Sequence, residues 1–159
     1  MQETEKRSDA CFDTPLGPIR VTEDAQGITS LQFADGAAGL PQARSIGPYG
    51  AEAKKQLLEY FAGQRSVFDV PLSLSGTAFQ MQVWRALQSI PYGETRSYQQ
   101  IAQMTGNARA VRAVGMANNR NPILILIPCH RVIGKDGKLV GYAAGLDRKQ
   151  YLLSLEASR

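Results

Sequence analysis

The residue pattern changes abruptly near Pro71–Gly76, and this change limits the folds that the chain can adopt. Before it, turn residues such as Thr14-Pro15-Leu16-Gly17-Pro18 separate short extended segments, and apolar and polar residues alternate over Ile28–Phe33 as in a half-buried strand. After it, apolar residues recur at helical spacing behind helix-start signals. The pattern predicts an α+β fold, in which a small N-terminal domain with a β-sheet and a helix (residues 1–76) packs on a mostly helical C-terminal domain (residues 77–159).

The first half is predicted to be a scaffold, because no catalytic constellation of residues assembles in it. Its helix is indicated by Leu57, Leu58 and Phe61, which fall on one helical face, and by Gly63, which suits the C-terminal cap. The predicted elements are strands over Ala10–Asp13, Ile19–Thr22 and Ile28–Phe33, a loop over Gly36–Gly50, and a helix over Ala51–Ala62.

The second half opens with a predicted helix. Thr77 and Gln80 form a capping-box pattern at its start, and Pro91-Tyr92-Gly93 ends it. The apolar positions repeat at helical spacing, so we expect them in the core rather than at a ligand surface. They are Phe79, Val83, Leu87 and Ile90.

Two further predicted helices, joined by the turn Gly106-Asn107, match the helix-turn-helix pattern. A capping box of Ser97 and Gln100 starts the first, and the second is predicted over Ala108–Asn118, with Arg109 and Arg112 on one face. The small residues of this second helix suit close approach either to a DNA groove or to another helix, and the pattern favours the two equally. The small residues are Ala110, Ala113, Gly115 and Ala117, and the positions expected to face the core are Val111 and Val114.

The charge is divided as unevenly as the pattern. Residues 1–76 carry seven Lys and Arg against ten Asp and Glu, a net of −3, whereas residues 77–159 carry eleven against four, a net of +7. A basic domain beside an acidic one is typical of a polyanion-binding module on a scaffold. The polar segment Met1–Asp9 lacks the apolar core of a signal peptide, and the longest apolar run, Ile123–Ile127, is too short to cross a bilayer. We therefore expect a cytoplasmic protein.

Cys129, in the run Pro128-Cys129-His130-Arg131, is the candidate nucleophile. The apolar run Ile123–Ile127, which follows a break at Asn121-Pro122, delivers the thiol beside the only histidine of the chain. A buried structural cysteine is the alternative and the commoner role of a lone cysteine. The positive charges of Arg131 and Lys135 are expected to favour the thiolate.

His130 is expected to act on the thiol through a water, because neighbouring side chains of an extended backbone point in opposite directions. Such a relay needs a third group to orient the imidazole. Acidic residues in this half are few, and Glu156 is the most suitable, near the end of a last helix predicted from an N-cap at Asp147 to about Ala157. Tyr151, Leu152 and Leu155 are expected to pack inward from that helix, and the other acidic residues are Glu94 and Asp136.

These motifs resemble those of the O6-alkylguanine-DNA alkyltransferases, also called methylated-DNA–protein-cysteine methyltransferases. The resemblance is strongest from Gly76 to Glu156, and Thr14–Pro18 resembles the family's N-terminal domain more weakly. The motifs that carry it are Tyr92-Gly93-Glu94-Thr95, Ser97-Tyr98, Arg109-Ala110-Val111-Arg112-Ala113-Val114-Gly115, Asn121-Pro122, Pro128-Cys129-His130-Arg131-Val132-Ile133-Gly134 and Gly141-Tyr142.

The resemblance implies direct repair of O6-alkylguanine in double-stranded DNA, with no cofactor. The helix-turn-helix would bind DNA from the minor-groove side, Arg112 would fill the stack vacated by the flipped base, and Cys129 would take the alkyl group irreversibly, once per molecule. It also implies that Tyr98 lies beside the flipped nucleotide and donates a hydrogen bond to the departing guanine. His130 would act as base through water, Glu156 would orient His130, and Asn121 would brace the thiol. The residues implied to contact DNA are Arg109, Ala110, Ala113 and Gly115, and those implied to line the guanine pocket are Val132, Tyr142 and Ala143.

One departure from the family concerns the loop after Tyr142, where the family commonly has small residues ending in two glycines and this chain has Ala143-Ala144-Gly145. A methyl group on this loop is expected either to restrict bulky adducts or to constrain the loop's backbone, so methyl transfer is the main activity expected. One histidine and two cysteines are too few for a closed zinc site without carboxylates, so no metal is expected. We expect a monomer when the protein is free, and no membrane partner.

Three other interpretations compete with repair. A relative that binds alkylated DNA without repairing it carries tryptophan in place of the nucleophile, and Cys129 argues against it. A DNA-binding regulator would use the helix-turn-helix as its whole function, but would be expected to carry a metal-bearing sensor domain. A cysteine hydrolase would need an oxyanion site, which the sequence does not indicate.

Overall fold

The computed structural model describes residues 8–35 and 46–158, and its strands and helices confirm the α+β class. Contacts divide the chain into two compact units, Met1–Leu74 and Ser75–Arg159, called the N-terminal and C-terminal units below. Most of the predicted loop Gly36–Gly50 lies outside the described residues. Among the residues described, none of the helices has the length and apolar character needed to span a membrane.

The N-terminal unit contains a three-stranded antiparallel sheet with strand order β1-β2-β3. The Thr14 hydroxyl donates to the Gly17 carbonyl at 2.7 Å and closes the first hairpin, where the sequence predicts a turn. All three predicted strands are confirmed, and each is longer than predicted because the pairing continues to the turn residues. The strands are β1 (Ser8–Thr14), β2 (Gly17–Asp24) and β3 (Gly27–Phe33).

Helix α1 (Pro48–Phe61) follows the sheet in the same unit. It begins three residues earlier than predicted, because proline fits the first helical position, where no backbone N–H is needed. Leu57 and Phe61 are buried, but Leu58 is 40% exposed, so its predicted place on the buried face was wrong. Consecutive helical residues are about 100° apart around the axis, and Leu58 therefore leaves the face that Leu57 occupies.

Glu23 on β2 lies at the start of this helix. Its buried carboxylate accepts hydrogen bonds from the amides of Gly50 at 2.6 Å and Tyr49 at 3.4 Å. A side chain at Gly47 would collide with this carboxylate, which explains the glycine there. Glu23 thus satisfies amides that the first turn of a helix leaves unpaired.

The C-terminal unit opens with α2 (Ala78–Gln88), whose predicted capping box is confirmed. Thr77 Oγ1 accepts from the Gln80 amide at 3.1 Å, and Gln80 Oε1 accepts from the Thr77 amide at 3.0 Å. Trp84, which the sequence did not single out, is buried and donates from Nε1 to the Ala117 carbonyl at 3.0 Å. Of the predicted core residues, Val83, Leu87 and Ile90 are buried and Phe79 is half-buried.

The helix-turn-helix segment contains α3 (Tyr98–Met104) and α4 (Val111–Asn119), and the capping box at Ser97 is confirmed. The predicted start of α4 at Ala108 was wrong, and so was the placement of Arg109 on that helix. Arg109 lies in the preceding turn, where its amide donates to Asn107 Oδ1 at 3.1 Å. This local side-chain bond competes with helical pairing and delays the start of α4. Val114 is buried and Val111 is half-buried.

The last helix is α5 (Leu146–Ala157), and its N-cap is Gly145 rather than the predicted Asp147. Gly145 has a φ of 99°, a conformation that glycine adopts without strain, and it turns the chain into the helix. Leu152 is buried and Leu155 half-buried, but Tyr151 is 39% exposed, so its predicted inward position was wrong. Two short strands, β4 (Arg96–Ser97) and β5 (Val132–Ile133), pair in parallel in this unit.

Candidate active site

The chain reaches Cys129 through the segment Ile123–Ile127, which is buried as predicted and which Asn121 holds at both ends. Asn121 Oδ1 accepts from the Ile123 amide at 2.9 Å, and its Nδ2 donates to the Ile127 carbonyl at 2.7 Å. Within the segment Ile125 has a φ of 71°, a left-handed conformation that is strained for a β-branched residue. Asn121 therefore fixes the backbone immediately before the thiol.

Cys129 opens a 3-10 turn, Cys129–Arg131, and is only 2% exposed. The assumption of extended backbone at this point was wrong. His130 Nδ1 is buried and has no hydrogen-bond partner among the described residues, so the imidazole makes no direct hydrogen bond to the sulfur. A water relay between the two side chains therefore stays a prediction.

The thiol is held in its neutral form. Burial raises the pKa of Cys129 to about 11, although a hydrogen bond from Asn121 and the positive charge of Lys149 oppose this shift. Arg131 and Lys135 do not supply the favourable charge, contrary to expectation, because Arg131 is paired with a carboxylate and Lys135 is exposed to solvent. A base must therefore remove the proton during reaction.

Glu156, on the last turn of α5, joins the two residues that follow the cysteine. Its Oε2 lies 2.7 Å from His130 Nε2, and its Oε1 accepts from Arg131 Nε at 2.8 Å. Arg131 also donates from Nη2 to Glu156 Oε2 at 3.0 Å and from Nη1 to the Ile90 carbonyl at 2.7 Å. All three side chains are buried, so this is a compact charged network inside the unit.

The protonation states in this network follow from burial and pairing. Burial alone would raise the pKa of Glu156, but hydrogen bonds from His130 and Arg131 together with their charges outweigh it and bring the pKa down to about 2. Burial lowers the pKa of His130, so its ring is neutral at neutral pH. An ionised Glu156 accepts a hydrogen bond from the N–H at His130 Nε2, which leaves the lone pair on Nδ1 free to act as a base.

Lys149 and Tyr98 meet at the carbonyl of Val140. The Tyr98 hydroxyl donates to this carbonyl at 2.9 Å, and Lys149 Nζ donates to it at 3.0 Å and to the Gly141 carbonyl at 3.1 Å. Burial lowers the pKa of Lys149 to about 8. The two side chains thus hold the start of the loop that carries Tyr142.

The residues expected to line the guanine pocket come shortly after Cys129 and Val140 in the sequence. Tyr142 is 8% exposed and its hydroxyl has no hydrogen-bond partner among the described residues, while Val132 is fully buried. Ala143 is exposed. Within the part of the chain that the structure describes, no cluster of three or more His, Cys, Asp or Glu residues could hold a metal ion.

Helix α4 presents Arg112 and Ala113 to solvent in its first turn, and Arg109 is exposed in the turn before it. Gly115 and Ala110 are partly covered, and a Cβ at Gly115 would lie 4.0 Å from the Tyr98 ring. One side of α4 therefore faces solvent and Gly115 approaches α3, while the use of the small residues against DNA stays a prediction.

Two buried polar residues at this site, Lys149 and Asn118, were missed from the sequence. Lys149 precedes Leu152 by three residues and Glu156 by seven, so the predicted helix already placed it on their face. Asn118 lies four residues after Val114, which the sequence assigned to the core. In both cases the sequence signal was a polar residue on a helical face that was otherwise predicted to be buried.

Comparison with known proteins gives matches over both units. Residues 78–158 match the family model described as 6-O-methylguanine DNA methyltransferase, DNA binding domain, and residues 9–74 match that family's ribonuclease-like domain. The chain is 51% identical over 152 residues to methylated-DNA–protein-cysteine methyltransferase of Methanosarcina acetivorans, which covers 94% of this chain and 97% of that protein. It is 49% identical over 147 residues to the protein of the same name from Mycobacterium leprae, covering 91% and 89%.

Solved structures agree. The crystal structure of Mycobacterium tuberculosis O6-methylguanine methyltransferase matches with a TM-score of 0.86 and 45% identity, covering 96% of this chain and 94% of that one. A structure of the M. tuberculosis protein in complex with DNA matches with a TM-score of 0.84 and 45% identity, covering 94% and 92%.

Proposed function

The chain belongs to the 6-O-methylguanine DNA methyltransferase family, and from this premise we propose that it repairs O6-alkylguanine in duplex DNA by moving the alkyl group, chiefly methyl, to Cys129. The observation that carries the proposal is the unpartnered Nδ1 of His130, a buried base whose other nitrogen is bound to Glu156, one residue from a buried thiol. This is the nucleophile, base and orienting acid that such a transfer needs.

The reaction is a displacement at the alkyl carbon. His130 Nδ1 takes the Cys129 proton through a water, the sulfur forms a bond to the alkyl carbon in line with O6, and the bond between that carbon and O6 breaks. The guanine leaves as an anion with the electron pair of the broken bond, accepts a hydrogen bond from Tyr98 and takes up a proton from water. Because a thioether does not hydrolyse, each molecule reacts once.

Glu156 supports this step by keeping a negative charge beside His130, so that the imidazolium formed on proton transfer is stabilised. Arg131 keeps Glu156 ionised inside the protein. Asn121 braces the backbone before the thiol. These groups are in place before any substrate binds, which is what a single-turnover reagent requires.

DNA binding is assigned to α4 and the turn before it. Exposed Arg112 and Arg109, with small Ala110, Ala113 and Gly115, suit an approach to the minor groove, and Arg112 is the side chain that fills the space of the flipped base. The buried thiol makes flipping necessary, since a base within the duplex cannot reach it. The base would enter among Val132, Tyr142 and Ala143, and the loop from Val140 must then move away from Tyr98.

The test is incubation with duplex DNA that contains O6-methylguanine, followed by intact mass and peptide mapping. We expect one methyl group per molecule, on Cys129, and unmodified guanine in the DNA, whereas Cys129→Ser should bind the DNA without taking the methyl group. Binding without transfer by the wild-type protein would support a sensor or regulator instead. Repeated turnover with release of methanol would indicate hydrolysis.

The base-flipping role of Arg112 has its own test. Arg112→Ala should slow repair of duplex DNA by about 10- to 100-fold, in line with the loss of a group that stabilises the flipped state by a few kcal/mol. The same variant should react with the free modified base at the wild-type rate, because no stack has to be filled. Equal losses of reaction rate with duplex DNA and with the free base would contradict the base-flipping role of Arg112.

A further inference from the structure

Asn118, in the last turn of α4, is a buried polar residue that the mechanism above does not use. It is 1% exposed, and its Nδ2 lies 3.5 Å from the backbone carbonyl of Cys129, a long hydrogen bond. Its Oδ1 is buried and has no hydrogen-bond partner among the described residues. Leaving a buried acceptor unpaired is costly, and such groups in native proteins call for an explanation.

The carboxamide also affects the Tyr98 hydroxyl. A hydrogen bond from Asn118 counteracts part of the rise that burial causes in the pKa of Tyr98. The same hydroxyl donates to the Val140 carbonyl at 2.9 Å. The donor end of Asn118 is therefore directed at the Cys129 backbone and acts on the Tyr98 hydroxyl, while its acceptor end is left without a bond.

Anchoring of the helix does not explain this arrangement. The neighbouring carbonyl of Ala117 is already bound by Trp84 Nε1 at 3.0 Å, and Asn121 ties the chain after α4 to Ile127 at 2.7 Å. An apolar side chain of similar size would fill the position of Asn118 without an unpaired oxygen. What Asn118 adds is a connection from α4 to the reactive residues.

We propose that Asn118 is a positioning residue for the alkyl transfer. It holds the Cys129 carbonyl and the Tyr98 hydroxyl in a fixed position relative to α4, the helix that carries Arg112. This inference rests on the proposed function and extends it. Arg112 and Asn118 are six residues apart on one helix, or about 9 Å along its axis. DNA bound at the first turn of α4 is thereby placed relative to the two groups that meet the flipped base.

The test is single-turnover transfer from O6-methylguanine duplex, measured as a function of DNA concentration, for Asn118→Leu and Asn118→Asp. Leu removes the amide at similar size, and Asp keeps the size but not the Nδ2 donors. We expect the maximal rate to fall about 30-fold in both, less than the roughly 10²- to 10³-fold loss for a donor that contacts the transition state itself, because Asn118 acts through its neighbours. The half-saturating DNA concentration should stay within about twofold of wild type. Gln88→Leu, which replaces an exposed carboxamide on α2, is the control and should keep the wild-type rate.

A double-mutant cycle with Tyr98→Phe separates positioning from general damage. Because Asn118 acts on Tyr98 as well as on the Cys129 carbonyl, the double variant should lose less than the product of the two single losses. A normal maximal rate in folded variants, a change confined to the half-saturating concentration, or fully additive losses would each overturn the inference. Failure of the wild-type protein to methylate Cys129 would instead overturn the proposed function, so the two failures are distinguishable.

Discussion

The two units of the chain treat buried polar side chains differently. In the N-terminal unit, Glu23 accepts two amides of α1, and Gln56 is hydrogen-bonded to Glu52 and Asp69. Among residues 8–35 and 46–74, none of the buried side-chain nitrogen or oxygen atoms lacks a partner. The C-terminal unit leaves atoms of Asn118, His130 and Tyr142 unpartnered within its described residues, and all three residues belong to the region around Cys129.

The contrast is clearest for two buried glutamates. Glu23 lies at the N-terminal end of a helix, where the amides and the helix dipole favour a negative charge. Glu156 lies at the C-terminal end of α5, where the dipole disfavours it, and it depends on His130 and Arg131 instead. Glu23 is thus paired with the amides at the start of α1, whereas Glu156 lies against the helix dipole and is paired with the imidazole and guanidinium next to Cys129.

Glu156→Gln gives the largest expected effect and the most direct way to break this contrast. The amide would present a donor or a weaker acceptor to His130 Nε2, disturb the tautomer, and remove the charge that stabilises the imidazolium. We expect the maximal single-turnover rate of methyl transfer to fall about 10³-fold, within the range for general base catalysis with a misoriented histidine. Quenched-flow or gel assays with O6-methylguanine duplex measure this rate.

The matched control is Glu23→Gln, the same change at the buried glutamate of the other unit. It should lower the melting temperature, because charge-assisted bonds to two amides are weakened, while each folded molecule transfers methyl at the wild-type rate. A comparable loss of transfer in Glu23→Gln, or a normal rate in folded Glu156→Gln, would show that the two glutamates do not differ in role.

Most of the fold could be predicted from local sequence signals. The three strands and both capping boxes follow from alternation, turn residues and the Ser/Thr-x-x-Gln spacing, and the structure confirms them. The errors in helix bounds lie at helix starts, where competing local bonds decide, and the other errors concern the faces of Leu58 and Tyr151 and the backbone at Cys129. The Asn107 side chain delays α4, and the left-handed Gly145 replaces Asp147 as the cap of α5. Such competition is settled by tertiary context, which a one-dimensional pattern does not contain.

The candidate site was recoverable only in part for a similar reason. Cys129 and His130 are adjacent, and Glu156 was the best remaining acid, so their grouping could be predicted from the sequence. The ionic state of the thiol could not, because it depends on burial that outweighs nearby charge and on Lys149, which is 20 residues away along the chain. Asn118 was missed because a polar residue on a buried helical stripe gains meaning only when its neighbours in space are known.

The smallest expected effect is on the stability of the protein in acid, and it tests the difference between Glu156 and Glu23 without a repair assay. The pKa of Glu156 is lowered from 4.5 to about 2, so its ionised carboxylate stabilises the folded protein above pH 4.5, and this stabilisation is lost as the pH falls toward 2. The free energy of unfolding should fall by about 3 kcal/mol in all, of which about 2 kcal/mol is lost by pH 3. His130 adds to the loss from pH 6.5 downward, because its lowered pKa means that the unfolded chain binds the proton more readily. Urea unfolding followed by the fluorescence of Trp84, the only tryptophan and a residue of the C-terminal unit, measures this. We expect the loss between pH 5 and 3 to be smaller in Glu156→Gln, where the His130 part remains, and to be retained in full in Glu23→Gln. An equal acid loss in both variants would contradict the lowered pKa of Glu156.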